Sequence, residues 1–133
     1  MADTFKFELV SPERVLLSED AEQVVLPGVQ GDFAVLPNHA PMLSTLRPGI
    51  LEVQLPSGSR RIFVKGGFAE VEPDRLTVLA QTAFDAGAST AAASITAELE
   101  AAQAELDAAK DDEARFMAQE AVDKLRSLQS GRA

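Results

Sequence analysis

The sequence contains no cysteine and only one histidine, His39, and both scarcities exclude classes of site. Without cysteine there is no disulfide, no thiolate metal ligand and no cysteine nucleophile. A single histidine also leaves no basis for a histidine-built metal site within one chain. We therefore expect no metal centre in this chain of 133 residues.

Basic residues and long apolar runs are scarce as well. Twelve Lys and Arg stand against 21 Asp and Glu, so the net charge is −9 and phosphate backbones should repel the chain. No run approaches the roughly 18 apolar residues of a membrane helix. The start "MADTFKFELV" resembles neither a secretory signal nor an Arg-rich transit sequence. We expect a cytosolic protein, or one peripheral to a membrane on its cytosolic side.

Residues 1–84 show the patterns of β-structure, and all seven prolines lie there. In "FKFELV", Phe5, Phe7 and Leu9 share one face, which is the alternation of a half-buried strand. Further strands are predicted at residues 50–55, 60–65, 68–72 and 76–81. Turns are predicted at residues 56–59, at Gly66-Gly67 and at residues 73–75. Short strands separated in this way predict an antiparallel sandwich or flattened barrel.

Residues from about 89 to 129 show the pattern of two helices, because helix formers dominate and proline is absent. Two apolar stripes are predicted: Ile95, Leu99, Ala102, Leu106 and Ala109, then Ala114, Met117, Ala121, Leu125 and Leu128. Asp111 or Asp112 should cap the second helix, Asp111 should pair with Arg115, and "SGRA" should fray. The predicted organisation is a β-sandwich domain at 1–86 followed by an antiparallel helical hairpin domain at 87–133.

The alanine-rich stripes of this hairpin predict weak docking on the sandwich. Each buried alanine methyl contributes only about 0.8 kcal/mol. Good helix formers let such a hairpin persist when undocked, so it suits a two-state element. A hairpin that permanently covers one sheet face is the alternative, and the residues alone leave both open.

A search for chemistry finds no catalytic constellation. His39 lies in "PNHAP", with Asp32 seven residues earlier and Ser44 five residues later, but no G-x-S-x-G elbow surrounds the serine. Gly28 and Gly31 belong to no phosphate-binding loop. The acid pairs at 19–20 and 111–112 are expected in solvated turns or caps. A loop fixed by prolines on a rigid sheet favours partner binding, so His39 is interpreted as a contact residue.

Three segments carry a resemblance to a known family: "FELVSPERVLLS", "GDFAVLPNHAPMLSTLRPG" and "VKGGFAEVEPDRLTVLAQTA". They resemble the epsilon subunit of bacterial F-type ATP synthase, the equivalent of the mitochondrial delta subunit. The resemblance covers most of residues 5–84, and Ala34 departs from it where the family usually has glycine. It implies a non-catalytic rotor subunit of the central stalk, on the cytoplasmic face of the bacterial inner membrane.

The resemblance also implies partners and contact residues. The expected partners are the gamma subunit and the c-ring, together with the alpha/beta hexamer through the hairpin. Asp32 occupies the position that faces the c-ring, whereas Ser11, His39 and Ser44 occupy positions near gamma. Exposed apolar residues should supply most of the interface energy, and the candidates are Leu36, Met42 and Leu43.

The hairpin of this family has a second implied role, because in many members it extends along gamma and inhibits ATP hydrolysis. In some members ATP holds it down through an [IL]-D-x-x-R-A motif. Here Ile95 is followed by Thr96 where the motif has Asp, and Leu99 stands where it has Arg. Without the arginine a phosphate partner is missing, so ATP binding is predicted to be weak or absent and no cofactor is expected.

Two other classes of function stay open on the sequence. A small β-fold enzyme could use His39 and Asp32, although no second catalytic group accompanies them. A generic adhesion or adaptor sandwich would also fit the strand pattern, but it would not associate with gamma.

Overall fold

Eight strands are followed by two helices in the computed structural model, which describes residues 3–88 and 91–131. The elements are β1 Phe5–Val10, β2 Val15–Ala21, β3 Gln23–Gly28, β4 Gly31–Val35, β5 Met42–Leu46, β6 Gly49–Leu55, β7 Gly58–Glu72, β8 Arg75–Asp85, α1 Ala91–Ala108 and α2 Asp112–Gly131. Residues 89 and 90, where the first helix was predicted to begin, and residues 132 and 133 of the predicted frayed tail lie outside the described residues.

The strands pair in the order β2-β1-β8-β7-β5-β3-β4, and β6 closes the path by pairing with both β3 and β7. All pairs are antiparallel except β1 with β8, which run parallel. The predicted β-sandwich followed by a helical hairpin is confirmed. The acid pair Glu19 and Asp20 lies within β2, so its predicted place in a turn is wrong.

The sandwich interior is built from alternate residues of the strands. Phe5, Phe7 and Leu9 are at most 3% exposed, as the alternation of "FKFELV" predicted. They pack with side chains from β3, β6, β7 and β8 in one core. A fully buried side chain of this size contributes about 1.5–3 kcal/mol, so this core is the main source of stability.

The predicted turn at Gly66-Gly67 is wrong, because β7 runs through both glycines without interruption. Its pairing with β8 keeps one register on both sides, from Lys65 opposite Thr82 to Gly67 opposite Ala80. Gly66 has φ +70°, a conformation that favours glycine. The glycine pair therefore marks a bend inside a 15-residue strand.

The bend shifts the side-chain alternation of β7 by one residue. Ile62 and Val64 belong to the sandwich core before the glycines, and Ala69 and Val71 belong to it after them. Because the two pairs differ in parity, the strand must change face between them. On the outer face of the sheet, β7 consequently presents Phe63 before the bend and Phe68 after it.

The helices agree with the prediction in outline and differ in detail. The Asp111 carboxylate accepts a hydrogen bond from the Ala114 backbone N–H at 2.7 Å, which confirms Asp111 as the cap. Arg115 pairs with Asp112 at 3.1 Å instead of with Asp111, whose carboxylate oxygen is used by the cap. Ala114, a member of the predicted second stripe, is exposed. Ala118 and Val122, which the predicted stripe did not include, are buried. Ser130 continues the helix and does not fray.

The hairpin is docked on the outer face of the sheet through a second apolar core. This core joins Phe63 of β7 to buried residues of the helices and of the preceding turn, namely Ala86, Ala91, Ile95, Ala102, Ala121, Val122, Leu125 and Leu128. Phe63 also packs against Phe84, with ring centroids 5.2 Å apart. Lys65 Nζ adds an ion pair to Glu105 of α1 at 2.6 Å. Within residues 3–88 and 91–131, no helix is both long and apolar enough to cross a membrane.

Candidate partner-docking site

An open groove of about 430 Å³ lies between the β3–β4 hairpin and β5. It brings together five of the predicted contact residues: Asp32, His39, Met42, Leu43 and Ser44. The remaining lining comes from Gly28, Val29, Gln30, Gly31, Phe33 and Thr45. The groove thus combines apolar walls with one acid and one imidazole.

Backbone constraints shape the β3–β4 wall of this groove. Gly28 and Gly31 face each other across a two-residue turn, and Gly31 has φ +131°. A Cβ on Gly28 would stand 2.7 Å from the Gly31 carbonyl oxygen, closer than real Cβ atoms come. Val29 N–H donates to the Thr45 carbonyl at 3.1 Å and ties the turn to β5. The two glycines are therefore needed for a turn this tight.

The loop that carries His39 is also held by its backbone. Asn38 adopts φ 68°, and its N–H donates to the Pro73 carbonyl in the β7–β8 turn at 2.8 Å. His39 N–H donates to the Leu36 carbonyl at 3.2 Å. Since Asn tolerates the left-handed conformation, "PNH" suits this turn. The imidazole is therefore presented by a fixed loop.

The acid of the groove is already engaged within the chain. Asp32 Oδ1 accepts an ion-paired hydrogen bond from an Arg47 guanidinium nitrogen. The Asp32 side chain is 62% exposed, whereas that of Arg47 is 25% exposed. Sequence reasoning missed this pair, because 15 residues separate its members.

The groove does not assemble a catalytic centre from His39, Asp32 and Ser44. His39 Nδ1 faces the Ala40 carbonyl oxygen at 2.7 Å, so this nitrogen carries the hydrogen and donates. Ser44 Oγ donates to the Thr45 carbonyl at 3.1 Å. No hydrogen bond joins the three side chains to one another in the described part of the chain. Residues 3–88 and 91–131 also contain no group of three or more His, Asp or Glu side chains that could hold a metal ion.

Two predicted contact residues lie outside the groove lining. Leu36 follows β4 and is 50% exposed. Ser11 follows β1, where its Oγ lies 3.3 Å from both the Arg14 N–H and the Arg14 carbonyl oxygen. Because β8 and β7 separate β1 from β5, Ser11 lies about three strand spacings, or roughly 14 Å, from the groove strand.

A row of three apolar side chains and one threonine crosses the outer face of the sheet between Ser11 and the groove. Cross-strand register places Val10, Leu79, Phe68 and Thr45 side by side on β1, β8, β7 and β5. We call these four residues the outer row. Phe68 is 40% exposed and Leu79 is 37% exposed, although both lie on regular strands. Sequence reasoning missed them; the available signal was an aromatic residue, Phe68, sharing a strand face with Glu70 and Glu72.

The positions compared with the ATP-binding motif lie on α1. Ile95 is 1% exposed in the hairpin core, so it is not available to a ligand. Thr96 is exposed and Leu99 is half-buried. None of the three side chains offers a positive charge to a phosphate.

Comparison with protein families finds a match over most of the sandwich. A family model described as "ATP synthase, Delta/Epsilon chain, beta-sandwich domain" matches residues 4–86. The chain is 56% identical over 105 residues to the ATP synthase epsilon chain of Rhodospirillum rubrum, covering 77% of this chain and 76% of that one. It is 46% identical over 129 residues to the ATP synthase epsilon chain of Parvibaculum lavamentivorans, covering 96% and 97%.

Solved structures share the fold at lower identity. A chain of the Euglena gracilis mitochondrial ATP synthase, solved with OSCP, F1 and c-ring, has a TM-score of 0.70 at 22% identity and covers 98% of this chain and 82% of its own. A chain from the central stalk and c-ring of the Tetrahymena thermophila mitochondrial ATP synthase has a TM-score of 0.66 at 16% identity, with coverages of 96% and 97%. At these identities the likeness shows the fold alone.

Proposed function

The chain belongs to the ATP synthase delta/epsilon chain family, and on this premise we propose that it is a non-catalytic central-stalk subunit that couples c-ring rotation to ATP synthesis. The observation that carries the proposal is the groove, where predicted contact residues meet without forming a catalytic arrangement. Such a surface binds a partner but performs no chemistry. The enzyme alternative lacks support, because Asp32 is paired with Arg47 and Ser44 bonds to a backbone carbonyl.

The sandwich, residues 1–86, is assigned two docking surfaces. Asp32 at the rim of the groove contacts the c-ring. The outer row, with Ser11 near one end and His39 and Ser44 towards the other, contacts the gamma subunit. Leucine and methionine side chains exposed beside them supply the apolar area, namely Leu36, Met42 and Leu43. Buried apolar anchors of this kind dominate the binding energy of interfaces.

The hairpin, residues 87–133, is assigned the regulatory role. Its attachment is supported by one apolar layer around Phe63 and by the ion pair between Lys65 and Glu105. Release of this layer would free the hairpin to reach the alpha/beta hexamer and restrain ATP hydrolysis. We assign this chain to the cytoplasmic face of a bacterial inner membrane, where it is bound peripherally through the complex.

A pull-down tests the central-stalk role. The full-length chain, tagged and expressed in place of the natural copy, is recovered from detergent-solubilised membranes and the co-purifying proteins are identified. We expect the gamma subunit and the c subunit in stoichiometric amounts. An untagged strain is the control for adsorption. Recovery of neither subunit would refute the proposal and favour an adaptor sandwich.

Nucleotide binding tests the assignment of no cofactor. We expect no saturable binding of ATP to the isolated chain in the submillimolar range, because Thr96 and Leu99 replace the charged residues of the motif. Isothermal titration calorimetry measures this directly. The double variant Thr96→Asp with Leu99→Arg is the matched control. Submillimolar affinity in the unaltered chain would contradict the prediction.

A further inference from the structure

Arg47 reaches Asp32 because both residues flank the same point of β3. Asp32 stands opposite Pro27 in the β3–β4 register. The backbone N–H of Arg47 donates to the Pro27 carbonyl at 2.9 Å. This hydrogen bond fixes the backbone of Arg47 on the strand next to Asp32, so the side chain starts within reach of the carboxylate.

The surroundings of this pair are locally cationic, although the chain as a whole is acidic. A crevice of about 150 Å³ beside it is lined by three cations, Arg47, Arg61 and Lys124, and by two acids, Asp32 and Glu52. The ion pairs of the described residues involve neither Arg61 nor Lys124. A cation that approaches Asp32 therefore meets positive charge from β7 and α2 as well as from Arg47.

We propose that Arg47 is an internal counter-ion that competes with the docking partner for Asp32 and thereby sets the strength and salt dependence of that contact. The proposal rests on the assignment of Asp32 to the partner interface. The Arg47 side chain is 25% exposed and its backbone is bonded to Pro27, so the guanidinium is already beside Asp32 before a partner arrives. A basic group on the partner must displace it or share the carboxylate with it.

Arg47 could either compete with the partner for Asp32 or orient the Asp32 carboxylate towards the partner, and the two roles predict opposite effects of removing Arg47. If Arg47 competes, its loss unmasks a full negative charge and a cationic partner binds more tightly. If Arg47 merely orients the carboxylate, its loss weakens the same contact. Because exposed pairs contribute little, we expect competition to change affinity by about two- to fivefold at low salt.

The test uses the full-length chain and the detergent-solubilised synthase complex stripped of this subunit. Arg47→Gln, Arg47→Lys, Asp32→Asn and the double variant Asp32→Asn with Arg47→Gln are titrated onto the complex at two salt concentrations. Arg75→Gln is the matched control, because it removes the same charge from another exposed ion pair, Arg75–Glu8 at 3.2 Å. A thermal melt of each variant verifies folding.

We expect Arg47→Gln to bind about two- to fivefold more tightly than Arg75→Gln at low salt, with a steeper loss at high salt. Arg47→Lys should stay near the unaltered chain, and removing Arg47 should strengthen binding less in the Asp32→Asn background, where no carboxylate is unmasked. Equal or weaker binding of Arg47→Gln, with the unaltered chain still binding, overturns this inference alone. Failure of the unaltered chain to bind overturns the proposed function as well.

Discussion

The two apolar cores of this protein differ in how they are enclosed. The sandwich core receives side chains from strands on all sides and includes Phe7, Leu26 and Leu76 at 0% exposure. The hairpin core is a single layer, in which two helices cover the outer face of β7 around Phe63. Three of its buried helix residues are alanines, namely Ala91, Ala102 and Ala121. We therefore expect the sandwich to remain folded without the hairpin, whereas the hairpin needs the sheet to cover its apolar side chains.

This difference separates docking from regulation in the proposed function. The groove and the outer row belong to the strands, whose positions depend on the sandwich core. The hairpin touches the sheet on the other side of the Gly66 bend, where β7 presents Phe63 outward. A change in the hairpin should therefore leave the groove and the outer row in place. Among the docking residues Asp32 adjoins the hairpin, because Lys124 of α2 lines the crevice beside it.

A large effect is expected at Gly67, which lies between the two halves of β7. A Cβ at this position would stand 1.8 Å from the Leu79 carbonyl oxygen, a contact that only a backbone shift could relieve. We expect Gly67→Ala to lower the free energy of unfolding by about 3 kcal/mol or more, since overpacking against backbone is costly. Chemical denaturation measures the change. Gly87→Ala, whose Cβ would meet only ordinary contacts, is the control, and equal stability of the two variants would contradict the structure.

The comparison of the cores predicts different consequences for truncating one buried residue in each. Phe7→Ala should cost about 3–5 kcal/mol and lower the stability of the whole chain. Leu125→Ala, also at 0% exposure, should cost about 2–5 kcal/mol, but mainly by releasing the hairpin. Hydrogen exchange distinguishes these outcomes: in Leu125→Ala we expect loss of protection in both helices and retained protection in β1 and β8. Loss of protection throughout the chain would show that the two regions are one cooperative unit.

A smaller effect is expected at the cap of α2. Asp111→Ala removes the acceptor of the Ala114 N–H and should cost about 1 kcal/mol. Asp112→Ala removes the exposed pair with Arg115 and one acid from the first turn of α2, but no cap, so it should cost less than Asp111→Ala. Thermal melts of the two variants measure the difference. A larger loss in Asp112→Ala would mean that the cap has been assigned to the wrong residue.

Local sequence patterns predicted the structural features that depend on residues close together in the sequence. The alternation of Phe5, Phe7 and Leu9 and the cap at Asp111 follow from residues within one strand or one turn. The turn predicted at residues 56–59 is present but shorter, because β6 ends at Leu55 and β7 begins at Gly58. The family motifs also placed Asp32, His39 and Ser44 in one segment, and the structure places them at one groove.

Features that depend on pairing between residues far apart in the sequence could not be predicted in this way. A glycine pair looks alike in a hairpin turn and in a bend within a long strand, because both need the same backbone freedom. Partners across the sheet decide between the two, and β8 continues opposite β7 through both glycines. The pairing of Arg47 with Asp32 also arises only when β3, β4 and the end of β5 come together.

The most direct test of the separation between docking and regulation compares two exposed apolar side chains. Leu43 beside the groove is 68% exposed, and Phe116 on α2 is 57% exposed. Each is replaced by Glu in the tagged full-length chain, and recovery of gamma and the c subunit from solubilised membranes is measured. We predict that Leu43→Glu reduces recovery at least tenfold and that Phe116→Glu leaves it unchanged, because burying an unpaired charge at an interface is costly. Equal recovery with both variants, or loss only with Phe116→Glu, would contradict the account.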